Sequence, residues 1–159
     1  MRSITTKNKL GYSIVIAIIF SLWWGIPTYR KWKADRLVDE LCAKDGRGMV
    51  YEAVALSKDK FRNGFVQIHI PQRDYVKPSD EYYYTDETSW IINENNSFGG
   101  LDLYRLHYKL FRVKDNKLMS EYVSYSRRGG DSIGPWHPSS YSCTDKEDTN
   151  IYPKTFVHK

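Results

Sequence analysis

The residues with the most chemical potential lie late in the chain. Ser126-Arg127-Arg128-Gly129-Gly130-Asp131 runs into Gly134-Pro135-Trp136-His137-Pro138-Ser139-Ser140. Two adjacent guanidinium groups can clamp a carboxylate or a phosphate through paired N–H donors. Trp136 offers an aromatic anchor for a partner, and His137 stands beside it. The paired glycines free the backbone and the two prolines fix it again, a makeup suited to a functional loop held by a rigid scaffold. Arg127, Arg128, Asp131, Trp136 and His137 are therefore the candidate interaction residues. They also have a purely architectural use, and it is the simpler expectation. Trp136 would pack into the core, the arginines would pair with local acids, and the loop would deliver Cys143 to its partner.

Other chemistry finds little support. His69 and His107 sit at polar positions of alternating segments, and neither pairs with His137 at a zinc-ligand spacing. His137 with Ser139 or Ser140 lacks a nucleophile elbow and an orienting acid. There is no phosphate-binding glycine loop, no C-x-x-C and no EF-hand pattern. No catalytic residue, no metal site and no cofactor is expected.

The elements that position these residues start with an anchor. Residues 10–29, LGYSIVIAIIFSLWWGIPTY, are uncharged and lie between Lys9 and Arg30. At ~1.5 Å per residue they cover the ~30 Å hydrocarbon core of a bilayer. Trp23 and Trp24 near one end and Tyr12 near the other suit interfacial aromatic belts. The apolar run is long for a cleaved signal core, and no small-x-small site follows it. Cys42 follows Val38-Asp39-Glu40-Leu41 and is no lipidation site. A retained spanning helix is expected, with the lipid bilayer contacted through residues 10–29. The Lys/Arg counts on its two flanks nearly tie, so the positive-inside rule does not orient it.

Charge and cysteine usage bound the rest. Of the net +5, residues 1–36 hold seven Lys/Arg against one acid, whereas residues 37–159 hold seventeen against eighteen. The basic excess flanks the span, where it suits lipid headgroups, and the near-neutral domain does not favour nucleic acid. Cys42 and Cys143 are the only cysteines and stand near opposite ends of the domain. A disulfide between them is favoured and requires an oxidising compartment. The alternative is two free buried thiols in a reducing cytosol. The disulfide breaks the topological tie and places the domain outside the cytoplasm. Asn95-Asn96-Ser97 also matches a glycosylation acceptor, a pattern that recurs by chance.

The domain plan is a short cytoplasmic tail (1–9), a transmembrane helix (10–29), a juxtamembrane helix (30–46), a periplasmic β-rich domain (47–145) and a loosely ordered polar tail (146–159). Trp32, Leu37, Val38, Leu41 and Cys42 approximate one apolar helical stripe. Pro27 is a potential kink, and Gly46 and Gly48 stop the helix. Strands are expected at residues 49–56, at 66–70 where Val66, Ile68 and Ile70 alternate with polar residues, in the aromatic segments at 82–84 and 90–92, at 104–113 and at 118–125. Lys114-Asp115-Asn116-Lys117 reads as a tight turn, and the alternation slips at Leu110-Phe111, which predicts a bulge. The whole is α+β: the two helical parts followed by a mainly antiparallel sheet of about five strands, one face covered by the juxtamembrane helix. Thirteen tyrosines suit either strand propensity or an interface.

Cys42-Ala43-x-Asp45-Gly46, Val50-Tyr51-Glu52, Ser124-Tyr125 leading into the 126–131 motif, the 134–140 motif and Cys143 together resemble a family of small uncharacterised proteobacterial membrane-anchored or lipoprotein-like envelope proteins. The resemblance spans most of residues 40–143. It implies an envelope location and a Cys42–Cys143 pair, and no activity.

The first functional expectation is a non-catalytic, single-pass inner-membrane protein whose periplasmic domain binds an envelope or membrane protein through its tyrosine-rich face and the 127–140 loop. A membrane-tethered enzyme or small anionic-ligand binder using that loop is the second. An accessory subunit of a membrane complex, acting through its transmembrane helix, is the third.

Overall fold

The computed structural model describes residues 4–63, 65–94, 99–131, 139–143 and 151–159, with side chains from residue 11 onward. Trp136, His137 and the acceptor-like triplet at 95–97 lie outside the described residues.

One helix, α1 (Ile4–Asp45), carries the chain into the domain. Residues 10–29 and 30–46, expected as two helical parts, are one element of 42 residues, about 63 Å long. Pro27 does not break it, although proline removes the N–H that would bond the Trp23 carbonyl. The neighbouring carbonyl of Trp24 accepts the Thr28 hydroxyl at 2.7 Å. The helix is long and apolar enough to cross a membrane, and among the described residues nothing buries its apolar window. It ends where expected: the Gly46 N–H closes on the Cys42 carbonyl at 2.8 Å.

Beyond it come β1 (Gly48–Val50), β2 (Val54–Leu56), β3 (Phe61–Arg62), β4 (Phe65–Val66), β5 (Tyr82–Asn93), β6 (Leu101–Arg112), β7 (Lys117–Gly129), β8 (Ser140–Ser142), a short α2 (Tyr152–Thr155) and β9 (Phe156–His158). The main sheet is antiparallel, in the order β1-β7-β6-β5, with β8 also on β7. The fold is thus α+β, one long helix followed by a mainly antiparallel sheet. The expected bulge is present: the β6–β7 register shifts between Leu110 and Phe111. The turn after β6 uses Asn116 at φ +55°, a left-handed conformation that asparagine tolerates.

Side chains alternate across β6, so its two faces serve two cores. On one face, Leu101 and Leu103 join Val123, Tyr125 and Cys143 against Ala34, Val38 and Cys42 of α1. On the other, Tyr108 and Leu110 join Tyr82, Met119, Leu56, Ile151 and Phe156.

Four expectations need correction. The strand at 49–56 is two: β1 joins the main sheet, while β2 pairs in parallel with β9. Of residues 66–70 only Val66 is in a strand, yet Ile68 and Ile70 still pack on the second core. Trp32 leaves the apolar stripe and is 53% exposed, because the inward positions run Ala34, Val38, Cys42 at helical i, i+4 spacing. Finally, residues 151–159 are no tail. Ile151 and Phe156 are fully buried and β9 closes the second core, so the domain extends past residue 145.

Candidate functional site

Arg127 lies near the end of β7, on the face that α1 covers. It is 1% exposed and fully engaged. Its Nε donates to Asp35 Oδ1 at 2.6 Å. Its Nη1 donates to the Gly129 carbonyl at 2.5 Å and to the Ser139 carbonyl and hydroxyl, both at 3.0 Å. Asp131 continues this network. Its carboxylate accepts the Ser139 N–H at 2.5 Å, the Ser139 hydroxyl at 2.9 Å and Lys31 Nζ at 2.9 Å. Burial pushes the Asp131 carboxyl up, but Lys31 and Ser139 outweigh it and hold the group below its ordinary value.

The two glycines between them are needed for shape. Gly129 and Gly130 have φ of +78° and +80°. A Cβ on Gly129 would sit 2.3 Å from the Gly100 carbonyl oxygen, so no side chain fits.

The motif is therefore half of a polar clasp, and α1 supplies the other half. Lys31, Asp35, Asp39 and Asp45 recur along the helix; the three acids take partners from the sheet, and Lys31 takes Asp131 just past the end of β7. Asp39 accepts the Tyr141 hydroxyl at 2.8 Å. Asp45 accepts the Tyr125 hydroxyl at 2.9 Å and Arg105 at 3.3 Å. The Tyr125 hydrogen bond, with Arg105 behind it, depresses the Asp45 carboxyl despite some desolvation. Between them, Cys42 and Cys143 stand at disulfide distance, Sγ to Sγ 2.02 Å and Cα to Cα 5.6 Å. Gly46 leaves room for that pair, since a Cβ there would meet Cys42 backbone at 2.7 Å and Cys143 Sγ at 3.0 Å.

Of the candidate interaction residues, Arg127 and Asp131 come together in this clasp. Arg128 is exposed on the opposite face of β7. An anion clamp of both arginines is excluded by the strand itself, because neighbours on a strand point to opposite faces. Part of the tyrosine surplus goes into packing, while Tyr51 and Tyr75 stay exposed on the domain. Tyr84, Tyr108 and Tyr122 stack across β5, β6 and β7 with centroids 5.0 and 5.1 Å apart. Tyr108 shares a hydroxyl–hydroxyl bond with Tyr152, and burial drives its phenol pKa far upward.

Three features escaped sequence reasoning. His107 Nε2 lies 2.7 Å from Glu121 Oε2, and Glu121 also accepts the Tyr51 hydroxyl. The dyad has no nucleophile beside it among these contacts. Burial opposes ionisation of Glu121, but Tyr51 and His107 together keep its pKa low. The second feature is the free edge of β5. It pairs with β6 on one side. On the other, Gln72 bridges Tyr84 and bonds Asp86, and no described strand continues along Glu87–Ile92. Trp90 and Ile91 there are 54% and 45% exposed. The third is a groove of about 740 Å³ between α1 and the near end of the sheet, lined by Arg30, Trp32, Lys33, Arg36, Ile92 and Leu101 among others. Among the described residues no cluster of His, Cys, Asp or Glu is arranged to hold a metal ion.

Comparison with protein-family models, with curated proteins and with solved structures finds no match.

Proposed function

We propose that this is a membrane-tethered, non-catalytic docking protein. In this reading residues 10–29 span the bilayer once, the domain stands in an oxidising compartment (the periplasm), and the open edge of β5 receives an extended segment of a second envelope or membrane protein. The observation that carries the docking is the edge. An unpaired strand edge presents a row of backbone donors and acceptors, the complement of another strand. Asp86 and Glu87 charge its first half, as protected edges usually are. Residues 88–92 (Thr-Ser-Trp-Ile-Ile) carry no charge at all, and Trp90 beside the bulge at Trp90/Ile92 adds an aromatic anchor. The Cys42–Cys143 pair supports the compartment, and the unburied apolar helix supports the anchor.

The anionic-ligand reading loses its main residue, because every Arg127 donor contact described is internal. A working transmembrane helix in a larger complex remains compatible with the anchor, but no specific contact favours it.

The test uses the strand's own geometry. The Tyr84 N–H points outward, to the Pro71 carbonyl at 3.0 Å. Backbone groups alternate sides, so Thr88 also points outward. Thr88→Pro then deletes one outward donor and no β5–β6 bond. A photo-crosslinking residue at Ile91 in native membranes should give one discrete adduct, lost on adding Thr88→Pro while the domain stays folded. An adduct unchanged by Thr88→Pro would rule out strand addition.

A further inference from the structure

The cations that follow the apolar span are not equivalent. Arg30 is paired with Glu94, and Lys31 bonds Asp131 at 2.9 Å. The domain has neutralised both. Lys33 and Arg36 have no carboxylate partner among the described residues. Both line the groove between α1 and the sheet end. The Arg36 guanidinium rests over the Trp32 ring, 5.1 Å from its centroid, which fixes its charge at the groove.

Height along the helix says what this groove faces. Tyr29 closes the apolar span. At ~1.5 Å per residue, Lys33 and Arg36 stand about 5 and 9 Å beyond Arg30. The headgroup layer on each side of the hydrocarbon core is about 5–8 Å deep. Lys33 stands within that depth, and Arg36, whose side chain folds back one turn over Trp32, returns its guanidinium toward the same level. Below them are Trp32 and Tyr29, suited to the interface; beside them Ile92 and Leu101 offer apolar wall. The groove's other acid, Glu40, lies one helical turn beyond Arg36, away from the bilayer. Glu94 is occupied by Arg30 and by the Leu101 N–H at 2.9 Å.

We infer that this groove is a binding site for the headgroup of an anionic phospholipid, its phosphate held by Lys33 and Arg36 against Trp32. The inference rests on the spanning helix proposed above. Its occupant is a membrane lipid, supplied by the same leaflet that the helix leaves. About 740 Å³ is room enough for a headgroup with part of its glycerol. A bound lipid would also fill the wedge between anchor and sheet, and so hold the domain at one angle to the membrane.

The experiment places the full chain in nanodiscs of equal phosphatidylglycerol and phosphatidylcholine. Native mass spectrometry then reads which lipid stays bound after release. One phosphatidylglycerol should be retained in preference. Lys33→Gln with Arg36→Gln should cut that preference about twenty-five-fold, since each cation near the surface is worth about five-fold in lipid affinity. Lys109→Gln on β6 should leave it unchanged. Equal retention of both lipids by the wild type, or an unaltered preference in the double variant, would overturn the site. Failure of the chain to remain in the nanodisc would overturn the spanning helix as well, and is distinguishable because no lipid-bound protein is then seen at all.

Discussion

Asp35 and Arg127 stand 92 residues apart in the chain and 2.6 Å apart in the fold. Removing the carboxylate would leave a fully buried guanidinium without its counter-charge. Asp35→Asn is expected to cost about 3 kcal/mol, the low end for breaking a buried pair, because Asp35 is itself a quarter exposed. Chemical unfolding of the detergent-solubilised protein measures it; a change under about 0.5 kcal/mol would show that the clasp is ornamental. The carboxylates of Asp45 and Asp131 add a pH dependence. Both pKa values fall on folding from the ordinary 3.8. The unfolded chain then binds more protons in that region, so their contribution is complete above about pH 4 and is lost as pH falls through the depressed folded values. Unfolding free energy should hold between pH 7 and 5 and decline below 4, with a shallower decline in Asp131→Asn. Asp115, held down to about 2 by Arg112, contributes to the same slope. At this scale the sequence displayed the residues but not their use. The 126–131 motif looks like a ligand loop because arginine and paired glycines serve both purposes. Only the distant acids Asp35, Asp39 and Asp45, spaced along the inner face of α1, mark it as a clasp.

Local pairing decided which elements could be read in advance. The β6–β7 hairpin, its asparagine turn and its bulge follow from period-two alternation and from a slip in that alternation, all within thirty residues. The helix end at Gly46 follows from a glycine placed where a Cβ would strike the helix. The C-terminal segment was opaque for the opposite reason. A three-residue strand carries little periodicity, and β9 finds its parallel partner about a hundred residues upstream. The polar run before it (TDKEDTN) hides that Ile151 and Phe156 return to the core. Phe156→Ala should destabilise by about 3–5 kcal/mol, with the loss visible in thermal unfolding. A loss below 1 kcal/mol would mean that the segment is only loosely docked.

At the scale of the whole molecule, the helix that would cross the bilayer is the same helix that builds the first core. No linker separates the apolar span from the domain: Arg30 and Lys31, the first residues after it, already pair with Glu94 and Asp131 at the ends of β5 and β7. In the proposed arrangement the domain therefore stands directly on the membrane surface, and partners reaching the β5 edge are those close to the same leaflet. The 101-residue separation of Cys42 and Cys143 makes their bond the closure of nearly the whole domain, worth roughly 4–5 kcal/mol in a chain-entropy account. It also ties the sheet to the anchor, and it survives only outside a reducing cytosol. The redox state of these two cysteines in living cells is thus the most direct test of a tethered, extracytoplasmic domain. Cells quenched in acid are denatured and alkylated with one maleimide, then reduced and alkylated with a second of different mass. The account predicts that Cys42 and Cys143 both carry only the second label. Both carrying the first would show free thiols, place the domain in the cytoplasm and contradict the proposed envelope docking.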